Sequence, residues 1–279
     1  MMEFITALGA NSFLQYALLA GVLASISCGV IGTYVVTKKI SLVSGGISHT
    51  VLGGVGLAYF LNTVHGTHIP PLYGALVFAI LSALIIGFVK RYSEHDSDTI
   101  IAAMWSTGMA IGVIFIALTP GYNTDLMSYL FGNILMVTKH DLYLMMTLDI
   151  TVIIVGVALY NKLCAICFDE DFAKIKGVNV TFYYLLLLCL TAVTIVTLIQ
   201  VVGIILVIAL LTIPAAIAKQ YSNSMWKMML GAVVLGVLFT VLGLAVSYSP
   251  DLPSGAVIII IASLSLAAST IYKSLRSNT

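Results

Sequence analysis

Two ionisable side chains lie where an apolar chain has little reason to place them. His49 sits within Ser41–Leu61, SLVSGGISHTVLGGVGLAYFL, a stretch without Asp, Glu, Lys or Arg. It comes about eight residues in, which at ~1.5 Å rise per residue is ~12 Å deep in a membrane helix. Asp149 occupies a similar place in TKHDLYLMMTLDITVIIV, about eight residues past Asp141. Charged or titratable groups at such depth are costly, and each needs a partner, a proton or an aqueous path. An imidazole and a carboxylate can act as metal ligands or as proton-carrying groups, so an intramembrane functional site is the chemistry these residues suggest. The bland alternative gives each group a hydrogen bond to a neighbouring helix. Gly45, Gly46, Gly53, Gly54 and Gly56 surround His49 in sequence and let adjacent backbones approach closely.

Further imidazoles stand outside the spans. His65 and His68, in HGTH, fall in an expected outer loop and read either as solvated imidazoles, the commoner case, or as an entry relay; His140, at the outer edge of the fifth span, would belong to the same funnel. His95, in KRYSEHDSD, reads as a solvated loop residue. Cys164 and Cys167 form a lone CxxC without a second pair, a weak metal or redox signal. Met145 and Met146 read as packing residues.

The elements that must position these groups are membrane helices. The chain is 61% hydrophobic and only 8% charged, with net charge +1, against about 25% charged in soluble domains. Such a balance points to no nucleic-acid partner. Nine apolar segments are bounded by charges, prolines or turn residues: Phe13–Thr37, Ser41–Leu61, Leu72–Val89, Thr99–Leu118, Asp141–Tyr160, Thr181–Ile199, Val201–Ala218, Trp226–Ser247 and Gly255–Tyr272. Only Gln200 separates the sixth from the seventh. Ser128–Val137 is apolar but too short to span and reads as re-entrant or interfacial. Glu3 and the absence of an N-terminal basic cluster argue against a cleaved signal peptide. Of the 12 Lys and Arg residues, all except Lys139 fall on one side of a nine-span arrangement. The positive-inside rule then puts the N-terminus outside and the C-terminus in the cytoplasm. The fold class is therefore all-α: a single polytopic bundle of about eight to nine spans over residues 1–279.

One cytoplasmic segment stands out, Phe168–Asn179, FDEDFAKIKGVN. Asp169, Glu170 and Asp171 lead, Lys174 and Lys176 follow, and Gly177 closes, as suits a short helix with a complementary dipole. Phe168, Phe172 and Ile175 share a face at helical spacing. They either pack on the bundle or present a docking surface to a cytoplasmic partner.

Several pieces together resemble the permease subunits of the zinc/manganese/iron class of ATP-binding-cassette importers, of type II architecture. They are Ser41–Leu61, MWSTGMAIGVIF (Met104–Phe115), SYLFGNILMVTKHDL (Ser128–Leu142), FDEDFAKIKGVNV (Phe168–Val180), VVGIILVIALLTIPAAIA (Val201–Ala218) and SYSPDLPSGAVIIIIA (Ser247–Ala262). The set runs through nearly the whole chain in the family's order. The resemblance implies a homodimer embedded in the lipid of a prokaryotic inner (plasma) membrane, conducting a divalent metal ion and holding no permanent cofactor. It further implies two ATP-binding subunits below and an extracytoplasmic metal-binding protein above. Residues Phe168, Asp169, Glu170, Asp171, Phe172, Lys174, Lys176 and Gly177 would then form the element that meets the ATPase. The chain lacks GxxxxGK[ST], so it carries no phosphate loop and is not itself the ATPase. Many members of that family have an Asp four residues before the second-span His, whereas here the position is Gly45. Asp149 is the carboxylate expected to replace it, facing one cavity with His49.

Three rivals are weighed against this. A secondary metal transporter would place more ionisable residues inside its spans and pair its broken helices. An intramembrane metalloprotease needs a sequence such as HExxH, which is absent. A vitamin B12 or siderophore permease shares the hydropathy but not the paired motifs.

Overall fold

The computed structural model describes residues 6–9, 11–92, 97–120, 132, 134, 137–204, 207–250 and 252–277. It is a bundle of helices: α1 (Ser12–Lys38), α2 (Ser41–His65), α3 (Pro71–Tyr92), α4 (Ser97–Ala117), α5 (Lys139–Ala158), α6 (Tyr160–Phe168), α7 (Glu170–Ile175), α8 (Val180–Val202), α9 (Val207–Tyr221), α10 (Met225–Tyr248) and α11 (Ser254–Ser277). Among the described residues, 8 helices are long and apolar enough to cross a membrane. The boundaries fall where the sequence changes character. α5 begins behind a capping box, in which Thr138 Oγ1 accepts from the Asp141 amide and Asp141 Oδ2 accepts from the Thr138 amide. Asp141 is thereby engaged as a cap.

The seventh apolar segment departs from expectation. Val201 and Val202 belong to α8, which ends at Gly203 with φ of 80°. The chain then re-forms as α9, 15 residues with Pro214 inside. That is ~22 Å of helix, less than the ~30 Å of a hydrocarbon core. Cys28 Sγ, midway along α1, donates to the carbonyl of Leu210 at 3.3 Å, so α9 starts halfway through the bundle. The hairpin closing α8 is buried, with Gly132 packed on Val202 and Gly203. Ile134 lies beside Gly21 of α1. The rest of Ser128–Val137, apart from Val137, lies outside the described residues, as do His95, Asp125 and Asp251.

Helices alternate in direction. Gly21 of α1 faces Thr240, Gly29 faces Val233 and Thr37 faces Met228, so α1 and α10 run antiparallel. α2 and α3 meet at Gly54 and Gly74, where a Cβ on either would strike the other's carbonyl. α2 and α4 run parallel, with Gly108 against the Thr50 backbone and Gly112 against Leu52. Without water to expel between apolar helices, close approach of backbones supplies the cohesion. The result is uneven burial: the apolar window of α2 is 83% buried and that of α4 only 17%.

This alternation collects the basic residues at one end. Lys38 Nζ donates to the Ile166 carbonyl and to Glu170 Oε1, each at 2.6 Å. Lys90 lies over the Tyr184 ring, Lys162 over Tyr183, and Lys273 donates to the Gln220 carbonyl. α7 is tied to this end. Its cap, Asp169, accepts from the amides of Asp171 and Phe172 at 2.9 and 3.0 Å, and Gly177 leaves it with φ of 76°.

Candidate metal pathway and coupling surface

His49 lies on the face of α2 turned toward α4. Its ring is stacked on the indole of Trp105, with centroids 4.1 Å apart and planes inclined by 13°. The residue is 8% exposed, and its buried Nδ1 has no hydrogen-bond partner. One turn earlier on the same face, Gly45 makes room for this arrangement. A Cβ there would lie 3.1 Å from the Trp105 ring and 2.9 Å from Ile208 Cδ1 of α9. The absence of a side chain at Gly45 is therefore a fact of packing. The space is filled by an indole and an isoleucine.

Asp149 is 0% exposed. Its Oδ1 accepts from Ser27 Oγ of α1 at 2.7 Å. Thr197 of α8 stands beside the carboxylate, and Oδ2 is buried without a hydrogen-bond partner. Asp149 thus belongs to a junction of α1, α5 and α8, whereas His49 belongs to the seam of α2 and α4. No hydrogen bond joins them. Among the described residues, no group of three or more His, Cys, Asp and Glu side chains is placed to hold a metal ion.

His65, His68 and His140 are all exposed. His65 closes α2 and meets Phe60 edge-on, with centroids 6.1 Å apart. The turn after it is pinned by Asn62, whose side chain bonds the Ile69 amide and carbonyl and accepts from the Thr67 hydroxyl. His68 projects from that turn and His140 from the first turn of α5, both exposed. At the basic end, Cys164 and Cys167 lie three apart on α6, both with free thiols. Burial pushes the Cys167 thiol up to about 12, with Lys38 pulling the other way. A protonated thiol is a poor nucleophile and ligand.

α7 has an open apolar face. Phe172 and Ile175 are 52% and 83% exposed, as is Phe168 at the close of α6 (70%), while in α7 only Ala173 turns inward. Lys174 bonds Asp171 at 2.8 Å and holds that carboxyl below its usual range. Glu170 is committed to Lys38, so the charges lock the helix down and the apolar side chains stand free.

Sequence reasoning missed two neighbours that define the site. Trp105 was legible as a large amphipathic residue inside an apolar span, one of only two tryptophans in the chain. Ser27 gave no signal among the small residues of α1.

The comparisons agree with this architecture. An uncharacterized membrane protein of Synechocystis sp. is 43% identical over 261 residues, covering 94% of this chain and 91% of that protein. The manganese import system permease protein ScaB of Streptococcus parasanguinis is 37% identical over 258 residues, 92% of this chain and 90% of ScaB. Among solved structures, PsaBC from Streptococcus pneumoniae in complex with Fab superposes with a TM-score of 0.86 at 35% identity. That match covers 96% of this chain and 94% of the other. Residues 10–273 match the family described as the ABC 3 transport family. With that extent of match, on a bundle of membrane-spanning helices, the chain belongs to the ABC 3 transport family and is a permease subunit whose ATP hydrolysis takes place on a separate subunit.

Proposed function

We propose that the chain conducts a divalent metal cation, manganese before zinc or iron, across a prokaryotic plasma membrane as half of a homodimeric importer. The observation that carries this is His49: a nearly buried imidazole with an unpartnered nitrogen, deep in the best-buried helix of a metal-importer scaffold. The preference for manganese rests on ScaB, a manganese import permease that the chain resembles along most of its length. Imidazole and carboxylate suit all three metals, and a weak site is what conduction requires, because an ion held too tightly cannot leave. Asp149 is the candidate carboxylate, with Oδ2 free to meet a cation. His65, His68 and His140 mark the outer mouth, where a metal-binding protein delivers the ion. The termini follow the positive-inside rule, N-terminus out and C-terminus in the cytoplasm.

The exposed face of α7 supports docking to the ATPase. The lipid- or partner-facing side of α4 carries Ala102, Ala103, Ser106, Thr107 and Ala110, all exposed. Small residues of this kind let a second copy approach closely. Uptake of Mn²⁺ and Zn²⁺ by the complex reconstituted in proteoliposomes tests the reading. H49A is expected to abolish uptake while assembly and basal ATP hydrolysis persist. Normal Mn²⁺ and Zn²⁺ uptake by H49A would sink it.

A further inference from the structure

A histidine that binds a metal ordinarily has its ring fixed by a hydrogen bond from its second nitrogen to a carboxylate, carbonyl or water. No carboxylate or carbonyl of this chain gives His49 that support, since Nδ1 is buried without a protein partner. What holds the ring is the face of Trp105, parallel to within 13° at 4.1 Å. Stacking of this kind restrains the imidazole plane, and the lone pair of the unprotonated nitrogen, which lies in that plane, remains clear of the indole. The electron-rich indole face also attracts positive charge, so it favours an imidazole that has donated its lone pair to a cation.

The surroundings are built for this contact. Gly45 leaves the space that the indole fills, and a Cβ there would crowd both Trp105 and Ile208. Thr50, next to His49, donates to the Met104 carbonyl at 3.2 Å, and Gly108 sits on the Thr50 backbone. Trp105 is thus anchored on both sides along α4, while its own ring is only partly buried.

We infer that Trp105 is the positioning residue of the metal path: its indole, seated over Gly45, orients His49 in place of a hydrogen-bonded carboxylate. The inference rests on reading His49 as the metal-facing group. It also sets a condition on restoring an acid to α2. G45D alone meets both the indole and Ile208, whereas in G45D combined with W105A only the flexible end of the Ile208 side chain must shift to admit a carboxylate one turn from the imidazole.

The test compares W105F, W105M and W105A in the reconstituted complex with its ATPase, using Mn²⁺ uptake as the probe. An aromatic pair adds about 0.5–1.5 kcal/mol beyond area burial, equivalent to a roughly two- to twelvefold change. W105A and W105M are expected to raise the KM for Mn²⁺ by about that factor, with assembly and basal ATP hydrolysis unchanged. W105F keeps a flat face and should stay within about twofold of the parent. Adding G45D to W105A should lower the KM again, while G45D alone should not. W105M replaces bulk without planarity, so equal behaviour of W105M and W105F would overturn the inference even if W105A fails to assemble. A KM unchanged in all three variants would also overturn it. If H49A transports Mn²⁺ normally, the metal-facing reading itself falls, an outcome separate from a failure confined to the Trp105 variants.

Discussion

At the scale of single residues, the two intramembrane ionisable groups are held in contrasting ways. His49 has a stacked neighbour and an unpartnered nitrogen; Asp149 has one firm hydrogen bond, from Ser27, and an unpartnered oxygen. D149N separates two roles for the carboxylate. It retains an acceptor for Ser27 and removes the charge, so a cation ligand loses its function and a helix-joining group keeps most of it. We expect D149N to reduce Mn²⁺ uptake at least tenfold while thermal stability in detergent changes little. Unaltered uptake, combined with a lowered melting temperature in S27A, would make Asp149 an interhelical hydrogen-bond residue and leave His49 as the only metal-facing group.

At the scale of elements, α7 is the most specified surface feature. Asp169 caps it, Lys174 braces Asp171, and Lys38 ties Glu170 and the end of α6 to α1. Replacing all three acids together would therefore undo the helix as well as any docking. The apolar face gives a cleaner test. F172D and I175D alter side chains that stand 52% and 83% exposed, so the fold should tolerate them. Co-purification with the ATPase should fall at least tenfold, and an intact complex would show that the docking surface lies elsewhere. K38M removes a charge-assisted bond of about 1.5–3 kcal/mol and a partly exposed ion pair. It should lower the melting temperature and weaken coupling of ATP hydrolysis to uptake. An unchanged ratio of ATP hydrolysed to Mn²⁺ transported would confine Lys38 to stability. Of the two cysteines of α6, Cys167 is buried packing. Cys167, whose thiol is raised from 9.0 to about 12, contributes stability below pH ~9 that declines as pH rises toward ~12. Maleimide labelling of Cys167 at pH 7 should be slow in the folded protein and fast after denaturation, whereas fast labelling of the native protein would contradict the burial.

At the scale of the whole molecule, chain direction alternates through α8, α9, α10 and α11 because α9, though short, still returns the chain to the basic end. Gln220 and Tyr221 at the close of α9 bond Ser269 and Thr270 near the close of α11, so these two helices end together. Topology can be tested with single cysteines. T67C should react with an impermeant maleimide added outside intact cells, and S277C should not. The reverse pattern would invert the orientation and place α7 on the wrong side for an ATPase.

The existence, order and approximate ends of the long helices were fixed by local properties. Runs of ~20 apolar residues demand internal hydrogen bonding in lipid, and only a helix provides it within one segment. The polarity of α7, its caps and its apolar face were legible for the same reason, since neighbours three and four apart interact along one helix. What lay beyond the sequence were the relations between helices. Thr181–Ile199 and Val201–Ala218 were divided only at Gln200, whereas the break falls at Gly203, because a mid-bundle turn needs partners such as Gly132 that come from elsewhere in the chain. The immediate neighbours of His49 and Asp149 depended on which way α2 and α5 face. Glycine seams decided that, turning His49 to α4 and Asp149 to α1. A glycine permits close approach without naming the helix that approaches, so Trp105 over Gly45 and Ser27 on Asp149 emerged only from the packed bundle.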